Sequence, residues 1–132
     1  MKPQPVPDVS EVGLERTRCL AACPAYSVTF QADGSFRYTG VYNIRHMGEH
    51  TGKVDVGQLR QLFRYTSEIG FADLKKSYLS PFLDSATVTT RVVQNGAQKT
   101  VMNYANSGPA TLWALEELID MLLQTATWDA KK

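Results

Sequence analysis

From Tyr26 to Ala32 the chain alternates, with Tyr26, Val28 and Phe30 on one side and Ser27, Thr29 and Gln31 on the other. Successive side chains of a strand point to opposite faces, so this period of two predicts a half-buried strand. Phe36, Tyr38, Tyr42 and Ile44 repeat the alternation after Asp33-Gly34, a hairpin signal. Residues opposite one another must share a face, and that fixes the turn length. A two-residue turn would set Phe30 against Arg37. A three-residue turn with Gly34 left-handed in a bulge sets Phe30 against Phe36 and Val28 against Tyr38, and is the predicted register.

The period then changes. Asp55 followed by Gln58 is a capping-box variant, and Leu59, Leu62, Phe63 and Ile69 trace a helical stripe that Gly70 can close. A helix is predicted over roughly residues 56 to 69. Phe71, Leu74 and Tyr78 show no clear period and read as a packed loop, and Pro81 excludes a central strand there. Ala86 to Gln94 and Ala97 to Ala105 flank Asn95-Gly96, a second hairpin signal. A bulged three-residue turn here would place Val88 opposite Met102, Ala86 opposite Tyr104 and Arg91 against Lys99. Ser107-Gly108-Pro109 starts a last helix with buried stripe Leu112, Leu115, Ile119 and Leu122, after which Trp128 folds back onto the body. The order strands, helix, strands, helix predicts an α+β fold: an antiparallel sheet built from two β-hairpins, with two helices on one face. No internal repeat appears.

Length adds that 132 residues make one domain with a sizeable core. Lys and Arg number 14 against 13 Asp and Glu, which argues against the clustered basic charge that nucleic acid or an anionic membrane surface requires. No apolar run approaches the roughly 18 residues that span a bilayer, so direct membrane insertion is not expected. Residues 1–10, MKPQPVPDVS, read as a proline-rich tether without the apolar segment of a signal peptide, and residues 11–130 as the domain. Such a start suits a cytosolic protein or an exported one whose leader is missing.

Cys19 and Cys23 stand four positions apart before Pro24. A disulfide between them would close a small ring, for which the chain-entropy estimate is about 2 kcal/mol, a lock on a local turn and not on the fold. A thioredoxin-type redox pair has two intervening residues and a helix N-terminus to lower the thiolate pKa, and neither is present. His46 and His50 complete a C-x3-C and H-x3-H set of the kind that holds structural zinc. Face parity opposes that set: the predicted register puts Cys23 opposite Asn43 and aims Cys23 and His46 to opposite sides, unless Pro24 breaks the ladder. From the residues alone, disulfide, redox pair and metal site all stay open.

Arg16 and Arg18 flank the strand entering the cysteine loop, where they hold an anion or guard a solvated edge. Tyr78 and Asp84 bracket an irregular loop, the kind of segment that carries function, although Tyr78 capping the core and Asp84 capping a turn are the plainer roles. Arg37, Arg91 and Lys99 are candidates for a small-ligand site on the outer sheet face. No G-x-S-x-G elbow, glycine-rich phosphate cradle or suggestive carboxylate pair occurs, so neither an enzyme nor a cofactor is expected. A well-formed pocket lined with perturbed titratable groups would count against that expectation.

The stretch "RTRCLAACPAYSVTFQADGSFRYTG" resembles the signature of an uncharacterised bacterial domain family, a domain of unknown function found mostly in cell-envelope and exported proteins. Its pattern is R-T-x-C-x-G-x-C-P-x-Y, a D-G turn, an aromatic and glycine, a G-x-H stretch, a helix, a Tyr and Asp segment, and a leucine-rich helix ending in Trp. Arg16, Thr17, Cys19, Cys23, Pro24, Tyr26, Asp33, Gly34, Tyr38, Gly40, Gly48, His50, Tyr78, Asp84 and Trp128 match in order. Ala21 departs from the family's glycine, which would matter if that position needs a positive φ. The resemblance implies a periplasmic, envelope-anchored or secreted setting, where paired cysteines oxidise, and hence a Cys19–Cys23 disulfide. It implies no activity. The resulting expectation is a non-catalytic interaction module whose partner is an unknown protein or small ligand.

Overall fold

The computed structural model describes residues 9–19, 21–82 and 85–130. The strands are β1 (Val9–Arg16), β2 (Ala25–Gln31), β3 (Ser35–Tyr42), β4 (Gly48–Lys53), β5 (Ser77–Tyr78), β6 (Thr87–Gln94), β7 (Ala97–Tyr104) and β8 (Thr127–Trp128). Helix α1 (Val56–Glu68) and a short 3-10 turn (Phe71–Asp73) separate β4 from β5, and α2 (Ala110–Gln124) separates β7 from β8. All eight strands form one sheet in the order β5-β7-β6-β1-β2-β3-β4-β8. Every pairing is antiparallel except the two-residue β5 beside β7.

The fold class is α+β, but the sheet is more than two hairpins. Its centre is β1, which pairs with β2 on one side and β6 on the other and so joins the hairpins into one surface. The alternation of β1 is masked by a bulge: the register shifts between Val9 and Glu11, so Val9, Val12 and Leu14 are all buried despite their mixed parity. Val9 and Ser10, within the stretch expected as a tether, thus belong to the sheet. Strands β4 and β8 extend the other half, and β8 follows α2, so the order ends on a strand.

The first turn is the bulged one, with Phe30 opposite Phe36, Val28 opposite Tyr38 and Gly34 at φ +92°. The second corrects the sequence-based register. Asn95 and Gly96 both take positive φ, +53° and +77°, closing a two-residue turn with Gln94 opposite Ala97. Asparagine tolerates the left-handed region, and a turn left-handed at both centres matches the twist of its strands. Val88 therefore faces Asn103, Arg91 faces Thr100, and Lys99 faces Val92.

The inner sheet face carries Val12, Leu14, Tyr26, Val28, Phe30, Phe36, Tyr38, Val92 and Val101, which form one core with the buried stripes of both helices. Asp55 caps α1 by accepting from the Gln58 amide at 2.9 Å, and Gly70, at φ +67°, follows its end. Leu112, Leu115, Ile119 and Leu122 are buried as their spacing predicts, and Pro109 stands at the N-cap of α2.

Two inner-face glycines leave room for backbone to close over the sheet. A Cβ on Gly40 would collide with the His46 carbonyl, and one on Gly52 with the Thr127 carbonyl and the Phe36 ring. The missing side chains let the loop after β3 fold down onto the sheet and let β8 seat Trp128 against Phe36 and Tyr38, with ring centroids 5.1 and 4.9 Å apart.

Candidate functional site

At the end of the sheet where β1 runs out and β2 begins, the inner face is not fully covered. A cleft of about 660 Å³ remains, floored by Tyr26 and Tyr38, walled by the last two turns of α2 and by the folded-down loop carrying Ile44 to His46, and bounded at its mouth by Cys23 and Pro24. The wall is mostly apolar with a few polar groups, and the size and character are those of small-molecule sites.

The polar groups are tied to one another. Continuing the inner-face parity of Val12 and Leu14 places Arg16 under α2, where its Nη2 donates to Asp120 Oδ2 at 2.6 Å and its Nε to Oδ1 at 3.3 Å. The Tyr26 hydroxyl donates to the same carboxylate. Glu117 lies 3.9 Å from Arg16 as a looser partner. Behind them Glu116, 2% exposed, accepts from Asn103 Nδ2 at 2.9 Å, while Asn103 accepts from the Gly108 amide.

Their protonation reflects these contacts. Burial works against the Arg16 charge, but the attraction and hydrogen bonding of Asp120, with Tyr26 adding less, outweigh it and the pKa rises. Burial first, and the Asp120 charge second, push the Tyr26 phenol well above its ordinary range. Burial raises Glu116, against the Asn103 hydrogen bond and the Arg16 charge. His46 moves the other way, lowered by burial and by its neighbours His50 and Arg45, and is neutral at pH 7. The ring of His46 lies flat on Trp128, centroids 3.9 Å apart at 10°. The Tyr38 hydroxyl donates to the His46 carbonyl at 2.7 Å and holds the loop in place.

The sequence-predicted candidates are distributed unevenly. Cys19 and Cys23 stand at disulfide distance, with Cα atoms 5.5 Å apart. Their loop is pinned by Asn43 Nδ2, which donates to the Ala22 carbonyl at 2.6 Å, and by Thr17, whose amide donates to the Thr87 carbonyl at 3.0 Å. Cys23 and His46 are not separated by face parity as the predicted register required. Ala25 pairs with Tyr42 while Tyr26 pairs with Gly40, so a bulge at Val41 shifts the phase, and both residues line the cleft. The two sulfurs of the proposed zinc set face each other at disulfide distance. Among the described residues no group of three His, Cys, Asp or Glu side chains converges. His50 points its Nε2 at the Met47 carbonyl, 2.8 Å away.

Arg16 and Arg18 part company. Arg16 enters the cleft, whereas Arg18 is exposed with its guanidinium 3.9 Å above the Tyr42 ring. Tyr78 packs at the far edge of the sheet, its oxygen accepting from the Lys75 amide at 3.1 Å. Asp84 lies outside the described residues. The expected outer-face set is not one surface: Arg37 and Arg91 point outward, Arg91 bound to Glu11 at 2.9 Å and to Thr29 at 3.1 Å, while Lys99, opposite Val92, has inner-face parity.

Reading the sequence missed Asp120, Arg45 and Trp128 as cleft residues. One signal was present: Glu116 and Asp120 stand one helical turn apart beside the apolar stripe of α2, and carboxylates in that position need a partner.

A family model described as a domain of unknown function (DUF6438) matches residues 10–123. No curated protein matches the chain.

Proposed function

The chain belongs to the DUF6438 family, whose description names no activity, and from the site itself we propose that it is a non-catalytic binding module that holds a small ligand in the cleft. The observation carrying this reading is the direction of the pKa shifts. General acids and bases work when their pKa is moved toward the operating pH. Arg16 is moved away from it by Asp120, and Tyr26 by burial first and Asp120 second, which leaves them fixed donors around a fixed acceptor. Perturbed groups do line the pocket, but they are perturbed as a structural network is. His46 is lowered, by burial first and by the charges of His50 and Arg45 after it, and its ring is stacked on Trp128.

The setting of this reading is an exported or envelope one. Paired cysteines persist where the surroundings oxidise, and Cys19 and Cys23 stand at disulfide distance. Among the described residues no helix is long and apolar enough to cross a membrane.

The test is a small-molecule screen by NMR line broadening on the wild type and on Ala86→Trp, which puts an indole into the cleft that Ala86 lines. Ligands bound by the first and lost by the second support the reading. Turnover of chromogenic ester, amide, phosphate or glycoside substrates that disappears in His46→Gln would overturn it.

A further inference from the structure

We infer that the cleft takes a zwitterion with an apolar body, an apolar amino acid or a short peptide of such residues with free ends. The inference rests on the cleft being a binding site, and comes from setting its charges against one another. Arg16 and Asp120 satisfy each other at 2.6 Å and present no net charge to a ligand. Two unlike charges are then left at the rim, on different walls. Glu117 on α2 has a side chain 46% exposed and only the loose 3.9 Å contact with Arg16. Arg45, on the folded-down loop, is exposed and makes no ion pair among the described residues.

Between these charges lies an apolar interior of Ile44, Val88, Leu123 and Trp128 over the two tyrosines. An uncharged ligand would use the interior and neither rim group. A ligand of one charge would meet an attractive group on one wall and a repulsive group on the other. An ammonium at Glu117 with a carboxylate at Arg45 engages both, and an apolar side chain between them fills the interior. The volume of about 660 Å³ leaves room for more than a single amino acid, so short peptides fall within the class.

The experiment measures dissociation constants by calorimetry or NMR titration for phenylalanyl-leucine in free, N-acetylated and C-amidated forms, with laurate and maltose as the fatty and saccharide arms. The free dipeptide is expected to bind, and each cap to weaken it by about fivefold, the scale of a partly exposed charge pair. N-acetylation should cost nothing further in Glu117→Gln, nor amidation in Arg45→Gln, because each variant has already lost the group its cap would disconnect. Caps that cost nothing in the wild type, caps that cost as much in the variants, or no dipeptide binding at about 10 mM would overturn the inference. If laurate or maltose binds instead and Ala86→Trp removes it, the cleft survives as a binding site and only the zwitterion falls. If nothing in this panel or the wider screen binds, both fall.

Discussion

Arg16 and Asp120, 104 positions apart in the chain, meet at 2.6 Å beneath α2, with the Tyr26 hydroxyl on the same carboxylate. This contact ties the last turns of α2 to the ends of the two central strands and fixes one wall of the cleft. Replacing Asp120 by Asn keeps the shape and removes the charge, leaving Arg16 partly buried with only the looser Glu117 at 3.9 Å as counterion. Full burial would make that cost several kcal/mol, but side chains 17% and 26% exposed can draw on water, so a loss of about 2 kcal/mol is expected. The shift in urea midpoint at constant m-value measures it. An unchanged midpoint would mean that the pair contributes nothing net.

Gly40 tests the architecture of the cleft apart from its charges. Any side chain there meets the His46 carbonyl, so Gly40→Ala must lift the loop, break the Tyr38 hydrogen bond and separate His46 from Trp128. Overpacking of this kind costs about 1–3 kcal/mol. Tryptophan fluorescence in a Trp113→Phe background, where Trp128 is the sole reporter, should shift to the red, and binding of any cleft ligand should weaken in step. Wild-type fluorescence and affinity in the alanine variant would show that the loop does not depend on the glycine.

The Cys19–Cys23 ring is small, and its loop is held independently through Thr17 and Asn43. Paired Cys19→Ser and Cys23→Ser substitution should therefore cost no more than about 2 kcal/mol and leave the fold unchanged by circular dichroism. Intact mass before and after reduction should differ by two hydrogens in the wild type and not in the variant. A double variant that does not fold would assign the pair a far larger role than closing a turn.

How much of the fold and cleft was legible in the chain depends on what each feature obeys. Strands β2 and β3, both helices and the register at Gly34 come from periodicity and turn chemistry, which are local. The extent and central place of β1, expected only as a strand entering the cysteine loop, escaped because its bulge breaks the alternation between Val9 and Val12. The register at Asn95-Gly96 turned on whether asparagine itself goes left-handed, which flanking residues do not dictate. The cleft is a tertiary product. Arg16, Asp120 and Arg45 come from three distant elements, and only the bulge at Val41 and the bare surface of Gly40 bring the His46 loop over them. The cysteine spacing was plain, whereas the approach of the two sulfurs to disulfide distance is a feature of the folded loop.

Glu116 offers a final test with a defined pH window. It is buried behind the Arg16 network, and its pKa is raised above the ordinary carboxyl range, chiefly by burial. A raised carboxyl pKa means that the folded state holds its proton more tightly than the unfolded one, so this group's contribution is favourable below the unfolded pKa and diminishes as pH rises through the folded value. At pH 7 the charged form is therefore a net cost to folding. Glu116→Gln removes the charge and keeps an oxygen for Asn103 Nδ2. The variant is expected to be more stable than wild type at pH 7, and the gain to vanish as pH falls below about 4, where both side chains are neutral. Denaturation midpoints at about pH 4 and pH 7 decide it. A variant less stable at pH 7 would show that the attraction of Arg16 outweighs burial, and that Glu116 belongs among the charges that hold α2 to the sheet.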